Sequence, residues 1–266
     1  MNRWDLRIER AQALEREYPA AAELLRFYRE IALFQKAISV TGCEKPGTDE
    51  SVPNNEWRTN TRRPALVDRS VCPRFFVACH QNMPHTQSLL ALLQRIAPPP
   101  LAETAALLAR LDDWDPADPT VRFINRVLAQ PGAEDAARSA AVSSSGENPA
   151  CPCCGERPVV AVLRPEGDGG KRSLVCSLCS TEWNFRRLLC PKCGEEDQHK
   201  LPVYTAEQYP YVRIESCDTC RTYLKSIDMT RNGLAVPEVD ELASVPLDLW
   251  AAENNYTKLQ PNLFGL

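Results

Sequence analysis

The sequence lacks the features that mark several common classes of protein. No apolar run approaches the roughly 20 residues that a membrane-spanning helix needs, and residues 1–17 are strongly charged, without the apolar centre of a signal peptide. The P-loop, the Gly-x-Gly-x-x-Gly turn, the His-Glu-x-x-His zinc motif and the Gly-x-Ser-x-Gly elbow are all missing. We therefore expect no membrane insertion, no export and no enzymatic activity.

Positive charge and histidine are also scarce. The 31 lysines and arginines are outnumbered by 35 acidic residues, which gives a formal net charge of −4. A chain dominated by nucleic-acid contacts is usually basic, so no nucleic-acid partner is expected. The three histidines, His80, His85 and His199, form no pair at metal-ligand spacing. The hydrophobic content of 44% nevertheless suffices for a folded core.

Cysteine, by contrast, is abundant and unevenly spread. Twelve of the 266 residues are cysteine, and nine of these lie between Cys151 and Cys220. In a chain without export signals, which we expect to be cytoplasmic, such cysteines more often bind metal or do redox chemistry than form disulfides. The other three, Cys43, Cys72 and Cys79, are interpreted as small buried apolar residues.

Four Cys-x-x-Cys pairs occur in the C-terminal half at matched spacing. Spacers of 21 and 23 residues separate the first pair from the second and the third from the fourth, and only 10 residues lie between these two units. Gly155 and Gly194 follow the first and third pairs, where glycine allows a positive φ. The pairs are Cys151/Cys154, Cys176/Cys179, Cys190/Cys193 and Cys217/Cys220.

Two such pairs brought together by a hairpin form a tetrahedral cage of four thiolates. Each spacer can fold as one hairpin, which favours sequential pairing: the first four cysteines in one site and the last four in another. Such a cage suits Zn²⁺, or a single iron ion as in rubredoxin, so we predict two ions of iron or zinc per chain. Thiol redox pairs or disulfides are the alternative interpretation of the same cysteines.

The remaining pattern predicts an α+β chain. Apolar residues at helical spacing predict helices over 20–40, 85–96, 101–111 and 119–129, the last capped by Asp118. After residue 150 the pattern changes to strands over 158–164, 173–176, 201–205 and 212–216, and then to a final helix over 239–255 that Pro246 interrupts. Residues 43–71 are expected to form a long loop.

These elements divide the chain into a helical domain and two tandem rubredoxin-like or zinc-ribbon Cys₄ units. The predicted ranges are a helical domain at 1–131, a linker at 132–150, a first Cys₄ unit at 151–188, a second at 189–238 and a C-terminal helical segment at 239–266. Within the first unit, Cys153 is interpreted as a surplus thiol, with reactivity as the alternative, and Trp183 as a core residue. Arg186 and Arg187 are expected on a solvated face.

Several segments together resemble the FdhE family of formate dehydrogenase accessory proteins. Cys-Ser-Leu-Cys with Thr181-Glu182-Trp183, and Tyr223-Leu224-Lys225 after the last pair, discriminate better than Cys-x-x-Cys alone. The other matching segments are Leu25-Arg26-Phe27-Tyr28-Arg29 with Phe34-Gln35, Cys151-Pro152-x-Cys154-Gly155 with Pro158-Val159, Cys190-x-x-Cys193-Gly194, Asp240-Glu241-Leu242-Ala243 and Pro246-Leu247-Asp248-Leu249.

The resemblance implies a cytoplasmic assembly factor. A member of this family is expected to be required for active formate dehydrogenase and to bind the catalytic subunit of that enzyme. It is also expected to have a helical N-terminal domain followed by two rubredoxin-type metal sites. Two alternatives remain open. A zinc-ribbon nucleic-acid binder would show salt-dependent binding to DNA or RNA, and a rubredoxin-type electron carrier would change colour reversibly when loaded with iron.

Overall fold

The described residues of the N-terminal half form a layer of α-helices, as the sequence predicts. The computed structural model describes residues 2–40, 85–110, 114–115, 117–138, 146–167 and 169–266. The predicted loop at 43–71 and its neighbours Cys72 and Cys79 lie outside these residues. Among the described residues of this half, the helices are α1 (Arg3–Glu17), α2 (Ala22–Val40), α3 (Thr86–Ile96), α4 (Pro99–Leu108) and α5 (Pro119–Arg138).

Local signals explain where these helices begin. The Asn2 side chain accepts a hydrogen bond from the Trp4 amide at the start of α1, and Asp118 Oδ1 accepts from the amides of Thr120 and Val121, as expected of a cap. The end of α5 differs from the prediction. It continues through Pro131 to Arg138, so residues 132–138 of the predicted linker are helical, because tertiary packing overrides the weak helix propensity of Pro and Gly.

Seven strands form one mixed sheet in the C-terminal half. The strand order is β3-β2-β1-β6-β5-β4, with β7 beside one end of β6. The prediction contains β1, β2, β4 and β5 but not the other three. The strands are β1 (Pro158–Glu166), β2 (Gly169–Cys176), β3 (Glu182–Asn184), β4 (Val203–Ala206), β5 (Tyr209–Cys217), β6 (Thr222–Asp228) and β7 (Thr257–Lys258).

The two cysteine-bearing hairpins are joined at the centre of this sheet. Strands β1 and β2 pair antiparallel, and so do β5 and β6. Between the hairpins, β1 and β6 pair in parallel, with Ala161 opposite Ser226 and Leu163 opposite Asp228. Val160, Ala161 and Val162 are fully buried at this junction. The α+β architecture is therefore helices followed by one continuous sheet that carries both cysteine units.

The C-terminal segment forms two short helices instead of one interrupted helix. Helix α6 covers Pro237–Ala243 and α7 covers Val245–Glu253. The break lies at Ser244, whose hydroxyl donates to the carbonyl oxygens of Asp240 and Glu241 at 3.0 Å. Pro246 occupies the first turn of α7, where its missing N–H costs nothing.

A buried ion group ties β6 to α6 and α7. The fully buried Lys225 Nζ lies 2.8 Å from Glu241 Oε1 and 2.6 Å from Asp248 Oδ2. Lys258, at the end of β7, also contacts both carboxylates, so two positive charges face two negative ones. Burial alone would raise the pKa of Glu241, but Lys225 and Lys258 outweigh it and lower that pKa to about 2.

The main hydrophobic core lies between the sheet and the helices α1, α2, α6 and α7. Tyr18, at the end of α1, stacks on Tyr209 of β5 with ring centroids 5.0 Å apart. A second cluster fills the space among α2, α3, α4 and α5. No helix in the described part of the chain is long and apolar enough to cross a membrane.

Candidate metal centres

The first two cysteine pairs meet where β1, β2 and their flanking turns converge. Cys154 Sγ lies 3.3 Å from Cys176 Sγ and 3.5 Å from Cys179 Sγ, and Cys151 Sγ lies 3.6 Å from Cys179 Sγ. All four sulfurs lie within 4.8 Å of one another. We call this cluster the first centre.

The last two pairs meet in the same way beside β5 and β6. Cys190 Sγ lies 3.7 Å from Cys220 Sγ, and Cys193 Sγ lies 3.6 Å from Cys217 Sγ. These four sulfurs also lie within 4.8 Å of one another, and we call them the second centre. We call each Cys-x-x-Cys turn a knuckle. The predicted sequential pairing of the knuckles is confirmed, since each hairpin brings its own two pairs of cysteines together.

The sulfur spacing suits a metal ion in each centre. A tetrahedral ion with metal–sulfur bonds of about 2.3 Å places its sulfurs about 3.8 Å apart. The closest sulfur contacts, 3.3–3.7 Å, are near this value. Both clusters could therefore hold a metal ion. Cys₄ donor sets suit zinc and iron alike, so the donors do not decide between the two.

The backbone of every knuckle turns through the left-handed region. Gly155 and Gly194, after the first and third pairs, have φ of 81° and 77°. Ser180 and Arg221 occupy the equivalent positions of the second and fourth pairs and take φ of 53°. Glycine is thus favoured but not required, because αL is accessible to other residues at a modest cost. The turn also aims backbone amides at sulfur: Leu178 N donates to Cys176 Sγ, and Lys192 N to Cys190 Sγ.

The four sulfurs of the first centre compete for protons. Hydrogen bonds from neighbouring thiols lower the pKa of Cys151, and the bond from Cys154 has the largest effect. Hydrogen bonds with the other three thiols raise the pKa of Cys176, and the bond with Cys151 has the largest effect. Four adjacent thiolates repel one another without a cation among them, so metal binding at this cluster must release protons.

The family models match the part of the chain that contains the two cysteine units. Residues 150–187 match the family model for the FdhE central domain, and residues 188–264 match the model for the FdhE C-terminal domain. The part of the chain from residue 150 to residue 264 therefore belongs to the FdhE family. The two models meet between residues 187 and 188, in the segment that separates the second and third knuckles.

Curated FdhE homologues are similar over the same half of the chain. The Aquifex aeolicus homologue is 39% identical over 116 residues, which cover 43% of this chain and 41% of that protein. The Pseudomonas aeruginosa homologue is 37% identical over 120 residues, which cover 42% of this chain and 38% of that protein. The chain thus spans about two fifths of the length of these relatives in the matched region.

The fold similarity extends over the whole chain. The crystal structure of the FdhE protein from Pseudomonas aeruginosa superposes with a TM-score of 0.75 at 22% identity, covering 99% of this chain and 96% of that one. The helical layer and the sheet that follows it therefore share the fold of that FdhE protein, including the helices that the curated matches do not reach.

The two centres differ in their surroundings. Cys151, Cys176 and Cys179 of the first centre are buried in a hydrophobic cluster against which Ala133 and Ala137 of α5 pack. Cys193 of the second centre is exposed. The first centre is thus built into the interface with the helical layer, whereas the second reaches the surface.

A buried polar network links the helices to the second knuckle. Arg7 of α1 donates to Glu134 of α5 at 2.8 Å, and to Ser180 Oγ and Glu238 of α6 at 2.9 Å each. Ser180 Oγ in turn donates to Glu134 at 3.0 Å. Ser180 directly follows Cys179, so this network fixes the knuckle against three helices. The sequence contains no pattern that reveals it.

The other residues singled out by the sequence behave as ordinary structural groups. Trp183 is buried beside the first centre, and its indole N–H donates to the Asn148 carbonyl, as expected of a core residue. Burial raises the pKa of the Cys153 thiol to about 11, so it stays protonated near neutral pH and is a poor nucleophile. Arg186 is exposed and pairs with Glu147 and Glu196.

Proposed function

We propose that this chain is an accessory protein for the maturation of formate dehydrogenase, acting in the cytoplasm by binding rather than by catalysis. In this proposal it binds the catalytic subunit of that enzyme before export, and its eight knuckle cysteines hold two ions of iron or zinc. The match of residues 150–264 to the two FdhE domains, together with the two assembled Cys₄ clusters within them, carries the proposal.

The geometry of the cysteines supports a binding role. A Cys₄ site offers an ion no open coordination position, so a bound metal would supply folding energy and rigidity instead of activating water. Each centre takes one ligand from a strand of the shared sheet, Cys176 at the end of β2 and Cys217 at the end of β5, so metal at both centres would stiffen the sheet as a unit. A rigid sheet backed by helices provides a preorganised surface for a protein partner.

Gene deletion tests this proposal. The strain should lose formate dehydrogenase activity and regain it with the wild-type gene, and a tagged copy should co-purify with the catalytic subunit. A Cys190→Ser/Cys193→Ser variant should restore much less activity, because it removes half of one centre. Cys153→Ser is the matched control and should restore activity fully, since this thiol contributes to neither cluster of four. Unchanged enzyme activity after deletion and no co-purification would contradict the proposal.

A further inference from the structure

An arginine of the helical layer has buried nitrogens without a protein partner. Arg126 lies on α5, seven residues before Ala133, so both occupy nearly the same face of the helix. Its Nε and Nη2 atoms are inaccessible to solvent and have no hydrogen-bond partner among the residues the structure describes. Buried guanidinium nitrogens that lack an acceptor are costly, so this side chain calls for an explanation.

The negative groups around Arg126 belong to the first centre and its knuckle. The guanidinium interacts electrostatically with Glu156, Cys176 and Cys154, while burial lowers its pKa. The sulfurs of Cys154 and Cys176 lie 3.3 Å apart in that centre. The Glu156 carbonyl accepts the Cys151 amide, so this residue is part of the same turn. Arg126 therefore lies within electrostatic range of the first centre, on the face of α5 whose Ala133 and Ala137 pack against the cluster that contains that centre.

The charge of a loaded centre explains why an arginine lies there. Four thiolates around a divalent ion carry a net charge of −2, and in a buried site this charge needs a nearby cation or N–H donors. Arginine N–H groups form charge-assisted hydrogen bonds with anionic acceptors. The second centre has less need of such a partner, because Cys193 is exposed and water screens its charge.

We propose that Arg126 is the counter-ion of the first centre and that it couples metal binding there to the packing of α5. The inference rests on the proposed metal binding but not on the link to formate dehydrogenase. Arg126 is a positioning residue in this proposal: it does not ligate the ion, but it stabilises the charged thiolate cage. The two centres should therefore differ in how firmly they retain metal, and only the first should depend on the helical layer.

A chelator challenge with zinc-loaded full-length protein tests the proposal centre by centre. Cysteines released by increasing chelator are alkylated, and peptide mass spectrometry reports labelling at 151–179 separately from labelling at 190–220. Arg126→Met removes the charge and should make the first centre release zinc at a chelator concentration at least about tenfold lower, as for loss of other groups that support metal ligands. Labelling of the second centre should follow the wild-type curve.

Two further variants control the experiment. Arg122→Met changes an exposed arginine one turn earlier on α5 and should leave both centres unchanged. Arg126→Lys keeps the charge with fewer donors and should retain zinc better than Arg126→Met. If Arg126→Met does not fold, as judged by circular dichroism, Arg126→Gln replaces it. Arg126→Gln should likewise retain zinc at the first centre less well than Arg126→Lys.

The outcomes separate this inference from the proposed function. If the wild-type protein binds no metal, the proposed Cys₄ chemistry is wrong and the inference fails with it. If the wild type binds two ions and Arg126→Met releases both as the wild type does, the counter-ion role alone is overturned. Equal loss from both centres would also overturn it, because a general loss of stability does not distinguish them.

Discussion

Replacing Lys225 by methionine tests the buried ion group that joins β6 to α6 and α7. The Lys225 ammonium lies 2.8 Å from Glu241 Oε1 and 2.6 Å from Asp248 Oδ2, and its side chain is fully buried. Methionine keeps the length but removes the charge, so a balanced group of four charges becomes net negative. Breaking one partner of a buried pair typically costs about 3–5 kcal/mol, and we expect this loss in the free energy of unfolding at pH 7.

Thermal and urea unfolding of the metal-loaded protein measure this loss. At about 2 °C per kcal/mol for a chain of this size, Tm should fall by roughly 6–10 °C. Lys171→Met is the matched control, because Lys171 pairs with Glu166 at 3.1 Å on the surface of the same sheet. An exposed pair contributes at most about 1 kcal/mol, so this variant should unfold almost as the wild type does.

A second variant separates charge balance from packing. Lys225→Met/Glu241→Gln removes one charge of each sign and leaves Lys258 facing Asp248, so it should recover part of the stability lost in the single variant. The reasoning is refuted if Lys225→Met costs less than about 1 kcal/mol, the typical effect of an arbitrary substitution. It is also refuted if the double variant loses more free energy of unfolding than the two single variants lose together.

Three further predictions concern pH, the knuckles and the metal. The pKa of Glu241 is about 2 in the folded protein against an ordinary 4.5, so its stabilising effect is complete above pH 4.5 and is lost as pH falls toward 2. Urea unfolding of Glu241→Gln should accordingly show a weaker decline in acid than the wild type; an identical decline contradicts this. Gly194→Ala should lower the free energy of unfolding by about 1–2 kcal/mol, because the φ of Gly194 is 77°. Gly233 has open space around it and no positive φ, so Gly233→Ala should lower this free energy less in the same thermal melts. Equal losses would argue against the αL explanation. Removal of metal by a chelator should lower Tm and change Trp183 fluorescence, with helix content by circular dichroism less affected; an unchanged melting curve would contradict metal-dependent stability.

The assembly of the two centres could be predicted from the sequence because its determinants are local. A Cys-x-x-Cys turn needs only four residues, and a spacer of about twenty residues can return as one hairpin to place two turns together. The pairing of Cys151/Cys154 with Cys176/Cys179 therefore follows from chain geometry. The core position of Trp183 was also predictable, since this residue follows the second knuckle by only four positions.

The features that the sequence did not predict depend on contacts between distant segments. Strand β6 pairs in parallel with β1, more than 60 residues away, and no turn signal marks such a pair. Helix α5 runs through Pro131 because Glu134 accepts a hydrogen bond from Ser180 and Ala137 packs against the first cysteine unit. Arg126 is one arginine among many in the sequence. Only the position of α5 beside the first centre gives it a role.

The parallel pair of β1 and β6 has a consequence for any attempt to shorten the protein. A fragment that ends after the second knuckle would leave β1 with an unpaired edge at Ala161, Val162 and Leu163, which are buried in the intact chain. Exposed apolar edges of this kind recruit strands from other molecules. Either cysteine unit produced alone should therefore aggregate even when its own centre is loaded, and dissection of the chain should leave β1 and β6 together.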